Sequence, residues 1–214
     1  MNVPTATVSR LIVYLRVLDS LASAGKSRTS SEYLGNEAQV SPFQVRKDLA
    51  YFGRFGTRGI GYDVAELGQR IRTILGLGRS WNTCIVGLGR LGQALVDYPG
   101  FGPQKEFHLV ALFDTDSAKI GKCFGGLAVR HNWELPQAVA ELNIQLGMIA
   151  VPASSAQEVA TALVQAGIRG ILNFAPAVIE VPLHVFVEKT DVSAALERLT
   201  FYLSAAQADR RPAP

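Results

Sequence analysis

The sequence predicts an α/β protein in two parts, an N-terminal winged-helix domain and a Rossmann-like doubly wound parallel sheet, with a further helix at the C-terminus. Three observations carry this reading. A glycine-rich turn, Gly87-Leu88-Gly89-Arg90-Leu91-Gly92, stands between an apolar run and a helical stretch. Apolar runs then recur with helical stretches between them, the alternation expected of a parallel sheet. Ahead of the turn, residues 1–79 hold short helical patterns and a glycine-rich segment, with 11 Lys+Arg against 6 Asp+Glu.

In chain order, Pro4 with Thr5 or Thr7 opens a helix whose apolar positions are Leu11, Leu15, Leu18 and Ala22, and Gly25 closes it. Arg28-Thr29-Ser30-Ser31-Glu32 reads as a polar N-cap region for a short helix over 31–38. After Gln39-Val40, Ser41 caps a third helix, Pro42 suits its first position and Gln44 completes a capping box. This helix is expected from 42 to 51 or 52, ending at Gly53. Val45, Leu49 and Phe52 form its apolar stripe, and Ser41, Phe43, Gln44, Arg46, Lys47 and Tyr51 are left for a partner. Helix, turn and helix of these lengths match a helix-turn-helix, whose second helix enters the DNA major groove. Arg reads guanine edges and Gln adenine. Arg and Lys equally bind phosphates, and at this point both roles stand open. Residues 54–62, with glycines at 56, 59 and 61, fit a β-hairpin wing that carries Arg54 and Arg58, the latter near a tip that suits a minor groove. Asp63-Val64-Ala65-Glu66 caps a further helix, and residues 76–80 read as a linker.

The second part begins with an apolar strand over 82–86. Gly87 permits the tight turn, Gly89 lets the backbone approach a pyrophosphate, and Gly92 lets helix and strand pack closely. The free N–H groups at the helix start face the phosphates. A second apolar run ends in Asp114, 22 residues after Gly92, where a carboxylate accepts hydrogen bonds from a ribose 2′-hydroxyl and repels a 2′-phosphate. Lys119 and Lys122 follow closely and blunt that preference. Further apolar runs fall at 108–113, 127–130, 146–151, 170–173 and 184–188, with helical patterns at 90–98, 134–142 and 155–166. Ligands of such sheets lie at the strand C-termini, so Val151-Pro152-Ala153-Ser154 and Asn173-Phe174-Ala175-Pro176 join the glycine turn as candidates. Asn173 either binds a nicotinamide or only forms a turn. Tyr98 and Phe174 are candidates for an apolar nicotinamide pocket.

Charge divides as +5 over residues 1–79 and −2 over 80–214, which suggests a polyanion partner for the first part. No apolar run approaches the roughly 18 residues of a membrane span, and Arg10 and Arg16 interrupt any signal-peptide pattern. Cys84 and Cys123 give no disulfide framework, which fits a cytoplasmic location. His108, His131 and His184 stand in no catalytic or metal-binding motif, so neither a catalytic residue nor a metal is expected. An NAD-dependent oxidoreductase and a coenzyme-A-responsive DNA-binding protein remain as alternatives.

The segments Val45–Gly53, Gly56–Tyr62, Ile85–Gly92 and Gly167–Pro176 together resemble the Rex family of redox-sensing transcriptional repressors, over almost the whole chain. The resemblance implies a homodimer that binds palindromic operators, senses NADH against NAD⁺ as effectors rather than reactants, and releases DNA when NADH binds. Val192, Ala195, Leu196, Leu199, Tyr202 and Leu203 form an apolar stripe on a final helix opened by Asp191. The resemblance implies that this helix is exchanged between subunits. An Arg16–Asp191 pair is expected to couple it to the DNA-binding domain. The resulting division is 1–79 winged helix, 80–190 NAD(H)-binding sheet, 191–206 exchange helix and 207–214 disordered tail.

Overall fold

Helix α1 (Thr5–Ser23) buries Leu11, Tyr14, Leu15 and Leu18 on one face. The computed structural model that shows this describes residues 3–57, 59–102 and 105–208. They fall into two units, 1–79 and 80–214. In the first unit, α1 packs on α4 (Val64–Ile74), which contributes Leu67 and Ile71, and Arg72 pairs with Asp19 at the rim. Between them come α2 (Ser31–Glu37) and α3 (Pro42–Ala50). Side-chain caps start α2, α3 and α4: Ser30, Ser41 and Asp63 accept from the backbone N–H groups of Tyr33, Gln44 and Glu66. The capping box expected of Gln44 does not form. Its amide instead donates to Asp48, one turn along the helix.

The segment read as a polar lead-in to α2 contains a strand, β1 (Arg28–Thr29), paired antiparallel with β2 (Tyr62–Asp63). A two-residue strand has no periodicity for a sequence reading to detect. Among the described residues, the hairpin expected over 54–62 reduces to one antiparallel bridge, Thr57 to Gly61, next to this ribbon. Gly61 is obligatory there. It has φ +85°, and a Cβ would stand 2.3 Å from the Thr29 carbonyl oxygen. Arg58 lies outside the described residues.

A buried carboxylate ties α3 to α1. Asp48 is fully buried and accepts from Arg10 Nε at 2.6 Å, Arg10 Nη2 at 2.7 Å, Tyr14 Oη at 2.9 Å, Gln44 Nε2 at 2.9 Å and Thr7 Oγ1 at 3.1 Å. Burial pushes this carboxyl up, but the hydrogen bonds from Arg10, Gln44, Tyr14 and Thr7 outweigh it and hold it below the usual carboxylate range. Burial, with Asp48 as its partner, pushes the Tyr14 phenol up.

In the second unit, β3 (Trp81–Val86), α5 (Arg90–Val96), β4 (Phe107–Asp114), β5 (Cys123–Phe124) and β6 (Leu127–His131) come first. A 3₁₀ turn (Asn132–Glu134), α6 (Leu135–Glu141), β7 (Leu146–Ile149), α7 (Ala153–Gln165), β8 (Gly170–Asn173), β9 (Phe186–Lys189) and α8 (Val192–Ala208) follow. The sheet order is β5-β6-β4-β3-β7-β8-β9. All neighbours are parallel except the edge strand β5, which pairs antiparallel with β6, so the sheet is mixed rather than wholly parallel. Alternate residues of β3 face opposite layers. Cys84 and Val86 join the α6 and α7 core with Leu135, Ala138, Val159 and Leu163. Ile85 joins Leu112 and Met148, with Leu95 and Val96 of α5 against them. Burial pushes the Cys84 thiol up to about 12.

Helix α8 extends to Ala208, two residues beyond its expected end and into the stretch read as tail; residues 209–214 lie outside those described. Asp191 caps it by accepting from Ala194 N–H. Its apolar side chains do not pack on their own unit: Val192, Leu196, Leu199, Phe201, Tyr202 and Leu203 are each more than half exposed.

Replacing Asp48 by Ala is expected to destabilise the first unit by about 3 kcal/mol, because Arg10 and Tyr14 lose their acceptor; denaturant melts of the full chain check this. The Asp48 contribution is complete above its unfolded pKa, near 4. It is lost as pH falls through the lower folded value, so the first unit loses stability on acidification and the Asp48→Ala variant shows a flatter acid limb.

Candidate functional site

Strand β3 delivers the chain into the glycine turn at the C-terminal edge of the sheet. Gly87 has φ +99°, and a Cβ on it would meet the Ala150 carbonyl oxygen and Val151 Cγ1, each at 2.7 Å. Gly92, in the first turn of α5, would place a Cβ 1.9 Å from the Gly87 carbonyl oxygen. Helix and strand therefore approach at a distance only glycine allows. Gly89 is the N-cap of α5, and no side chain caps it. The N–H groups of its first turn are thus left for solvent or an anion.

Asp114 holds this turn from the end of β4. Its Oδ2 accepts from Leu88 N–H at 2.7 Å and Lys119 Nζ at 3.0 Å, and its Oδ1 accepts from Asp116 N–H at 2.8 Å. Burial raises this carboxyl, but the bonds from Asp116 N–H, Lys119 and Leu88 N–H prevail and keep it below the ordinary range. It is an anion at neutral pH, and Lys119 offsets part of that charge. A cavity of about 400 Å³ opens beside the turn, lined by Gly87, Gly89, Asp114, Lys119, Asn132, Val151 and Pro152. Helix α7 closes it with Ser155, Glu158, Val159 and Ala162.

The cavity thus gathers Gly87, Gly89, Asp114, Val151 and Pro152 from the residues singled out in the sequence. Leu88 does not line it: its side chain is fully buried and its N–H donates to Asp114. Arg90 and Leu91 are exposed on α5 and do not line it. Tyr98 does not line it either; its ring meets Phe101 edge-on, 5.5 Å between centroids. Asn173 forms a turn: it is buried, its Oδ1 accepts from Ala175 N–H and its Nδ2 donates to the Ala177 carbonyl. Phe174 packs against the α5-side core, and Ala175 is buried while Pro176 is exposed. Sequence reasoning missed Asn132, Ser155, Glu158, Val159 and Ala162. Positions 155, 158, 159 and 162 recur at helical spacing, the one signal available. Among the described residues no group of three or more His, Cys, Asp or Glu is placed to hold a metal.

In the first unit, Ser41 caps α3, and Phe43, Arg46, Lys47 and Tyr51 are exposed. Arg46 Nη1 donates to Ser31 Oγ at 2.9 Å across the turn between the helices. Arg46 also lines a groove of about 750 Å³ with Ser30, Ser31, Thr57 and Ile60. Arg54 is exposed, and its carbonyl accepts from Arg70, whose guanidinium lies 4.8 Å from the Phe55 ring centroid. For the proposed coupling pair, Asp191 is engaged by Lys189 at 2.8 Å within its own unit, and Arg16 is exposed on α1.

Residues 2–50 match a family model described as a putative DNA-binding protein N-terminus, and residues 79–177 match one described as a CoA binding domain. A redox-sensing transcriptional repressor Rex of Thermus thermophilus is 54% identical over 201 residues, covering 94% of each chain. The crystal structure of RSP in complex with beta-NAD+ and operator DNA superposes with a TM-score of 0.91 at 33% identity, over 98% of this chain and 96% of that one. The same protein in complex with beta-NADH gives 0.87 at 32% identity, over 98% of each chain.

Replacing Gly92 by Ala puts a methyl group onto the Gly87 carbonyl, and α5 must shift to admit it. Dinucleotide affinity is expected to fall about tenfold or more, read by calorimetric titration, with circular dichroism confirming that the sheet persists.

Proposed function

The chain belongs to the Rex family of redox-sensing transcriptional repressors, and on that premise we propose that it represses transcription by binding operator DNA and lets go of that DNA when NADH binds. One observation carries this reading: a helix-turn-helix unit and a glycine turn backed by an ionised Asp114 occur in a single chain. The first supplies DNA affinity and the second a dinucleotide site. NAD(H) acts as effector, so the chain is a regulator rather than an enzyme, and it works in the cytoplasm, where operator DNA is. Two copies act together. The exposed apolar stripe of α8 supports this, because such a stripe requires a partner surface.

The mechanism is a two-state switch. A dimer engages two half-sites when its recognition helices stand about one DNA turn (~34 Å) apart. NADH binds the competing arrangement more tightly, and NAD⁺ does so less, since equal affinity for both states shifts nothing. The neutral reduced ring suits an apolar pocket better than the cationic oxidised ring does. By reciprocity, operator DNA weakens NADH binding by the factor that NADH weakens DNA binding. Gly87, Gly89 and the first turn of α5 hold the pyrophosphate, and Asp114 faces the adenosine ribose. Coupling between the units through Arg16 and Asp191 belongs to the same proposal. A coenzyme A reading has one observation in its favour, the family model matched by residues 79–177. Asp114 argues against it, because coenzyme A carries a 3′-phosphate where a ribose diol suits a carboxylate.

Titration of a palindromic duplex at fixed, stated salt with NADH, NAD⁺, NADPH and coenzyme A separates these readings. Release by NADH at concentrations where the other three leave the complex intact is the expected result. Release by coenzyme A alone overturns the dinucleotide assignment, and indifference to all four removes the sensing role. Charge reversal of Arg16 is expected to leave NADH affinity intact and to weaken DNA release; an unchanged release curve rejects that residue.

A further inference from the structure

Helix α3 presents an outward face that its polar residues do not fill. At 100° per residue, Phe43, Lys47 and Ala50 lie within about 60° of one direction, opposite the buried Val45, Asp48 and Leu49. All three are exposed, Phe43 to 67%. Gln44 and Arg46 flank this face, and each is already engaged. The Gln44 amide donates to Asp48 at 2.9 Å, which turns it along the helix toward the core. The Arg46 guanidinium donates to Ser31 at 2.9 Å and lines the groove toward the Thr57–Gly61 turn. The two residues best suited by type to read adenine and guanine are therefore the two held aside by the fold.

Residues near the N-terminus of a recognition helix are the ones that meet base edges. Phe43 is the second residue of α3, and its phenyl ring offers no hydrogen bond. In the major groove the matching feature is the C5-methyl of thymine, the apolar group on a base edge; Ala takes the same partner. Lys47, between Phe43 and Ala50 on this face, is a donor suited to guanine O6 and N7. Arg46, held at the side, is placed for a phosphate.

We infer that α3 selects its operator through thymine methyl groups packed against Phe43, with Lys47 beside it reading guanine, and that Gln44 and Arg46 do not read bases. This rests on the DNA-binding reading above.

The test is selection of duplexes from a randomised palindromic library by the full-length chain, followed by replacement of each selected thymine with deoxyuridine, which removes only the methyl. At one thymine position per half-site the replacement is expected to weaken binding about fourfold, and about fifteenfold when both half-sites are changed, from the loss of one buried methyl each. The Phe43→Ala variant, whose methyl reaches less far than the phenyl ring, is expected to lose most of the discrimination between the thymine and deoxyuridine duplexes, with the salt slope on random DNA unchanged because no charge is removed. The Phe43→Leu variant is expected to retain part of the discrimination. The inference is overturned if no deoxyuridine replacement weakens binding, or if Phe43→Ala discriminates as the parent does. Failure to select any duplex rejects the DNA-binding reading itself, and this inference with it.

Discussion

The orientation of α3 rests on Asp48. A carboxylate with no solvent access is tolerable only when its lone pairs are filled, because an unpaired buried charge costs several kcal/mol. Here the donors come from Thr7, Arg10 and Tyr14 of one helix and Gln44 of its own. They fix α3 in rotation as well as position. A helix packed by Val45 and Leu49 alone rolls at little cost, since apolar contacts are not directional. A helix that must keep one carboxylate on five donors does not. The rotation decides which residues face outward, so the chemistry offered to a groove follows from a bond network on the opposite side of the helix.

The second unit repeats the device with main-chain partners. Asp114 accepts from the N–H of Leu88, inside the glycine turn, so the end of one strand sets the shape of the loop after its neighbour. The glycines remove the side chains that would block the approach, and the carboxylate supplies the bond that keeps the loop there. Lys119, on the short turn after β4, returns a positive charge to the same oxygen. Asp114 is thus a structural anchor of the loop, and a change at this residue alters the loop's geometry before any ligand is considered.

The glycine turn, the alternation of strands and helices and the helix-turn-helix were legible because each rests on spacing: period, cap and glycine position are written along the chain. What was not legible involves residues distant in sequence. Asp48 looked like one more polar residue of α3, although its place between Val45 and Leu49 put it on the apolar stripe, and Thr7, Arg10 and Tyr14 recur at spacings of three and four on the facing helix. The β1–β2 ribbon joins two-residue strands separated by two helices. The contribution of α7 to the cavity was hidden because its apolar face serves both the core and the site. Asn173 could not be decided from sequence, since a turn and a ligand draw on the same amide.

Cys84 lies at the centre of β3, three residues before the glycine turn, with its thiol held protonated. Thiolate, not thiol, is the species that oxidants attack. A chain that answers to cellular redox poise thus keeps the cysteine nearest its nucleotide site chemically silent. It acts as a meter rather than a reagent: it registers the ratio of two dissolved species by occupancy and is not itself consumed. Its answer to those two species is one of occupancy, and the signal leaves when the ligand does.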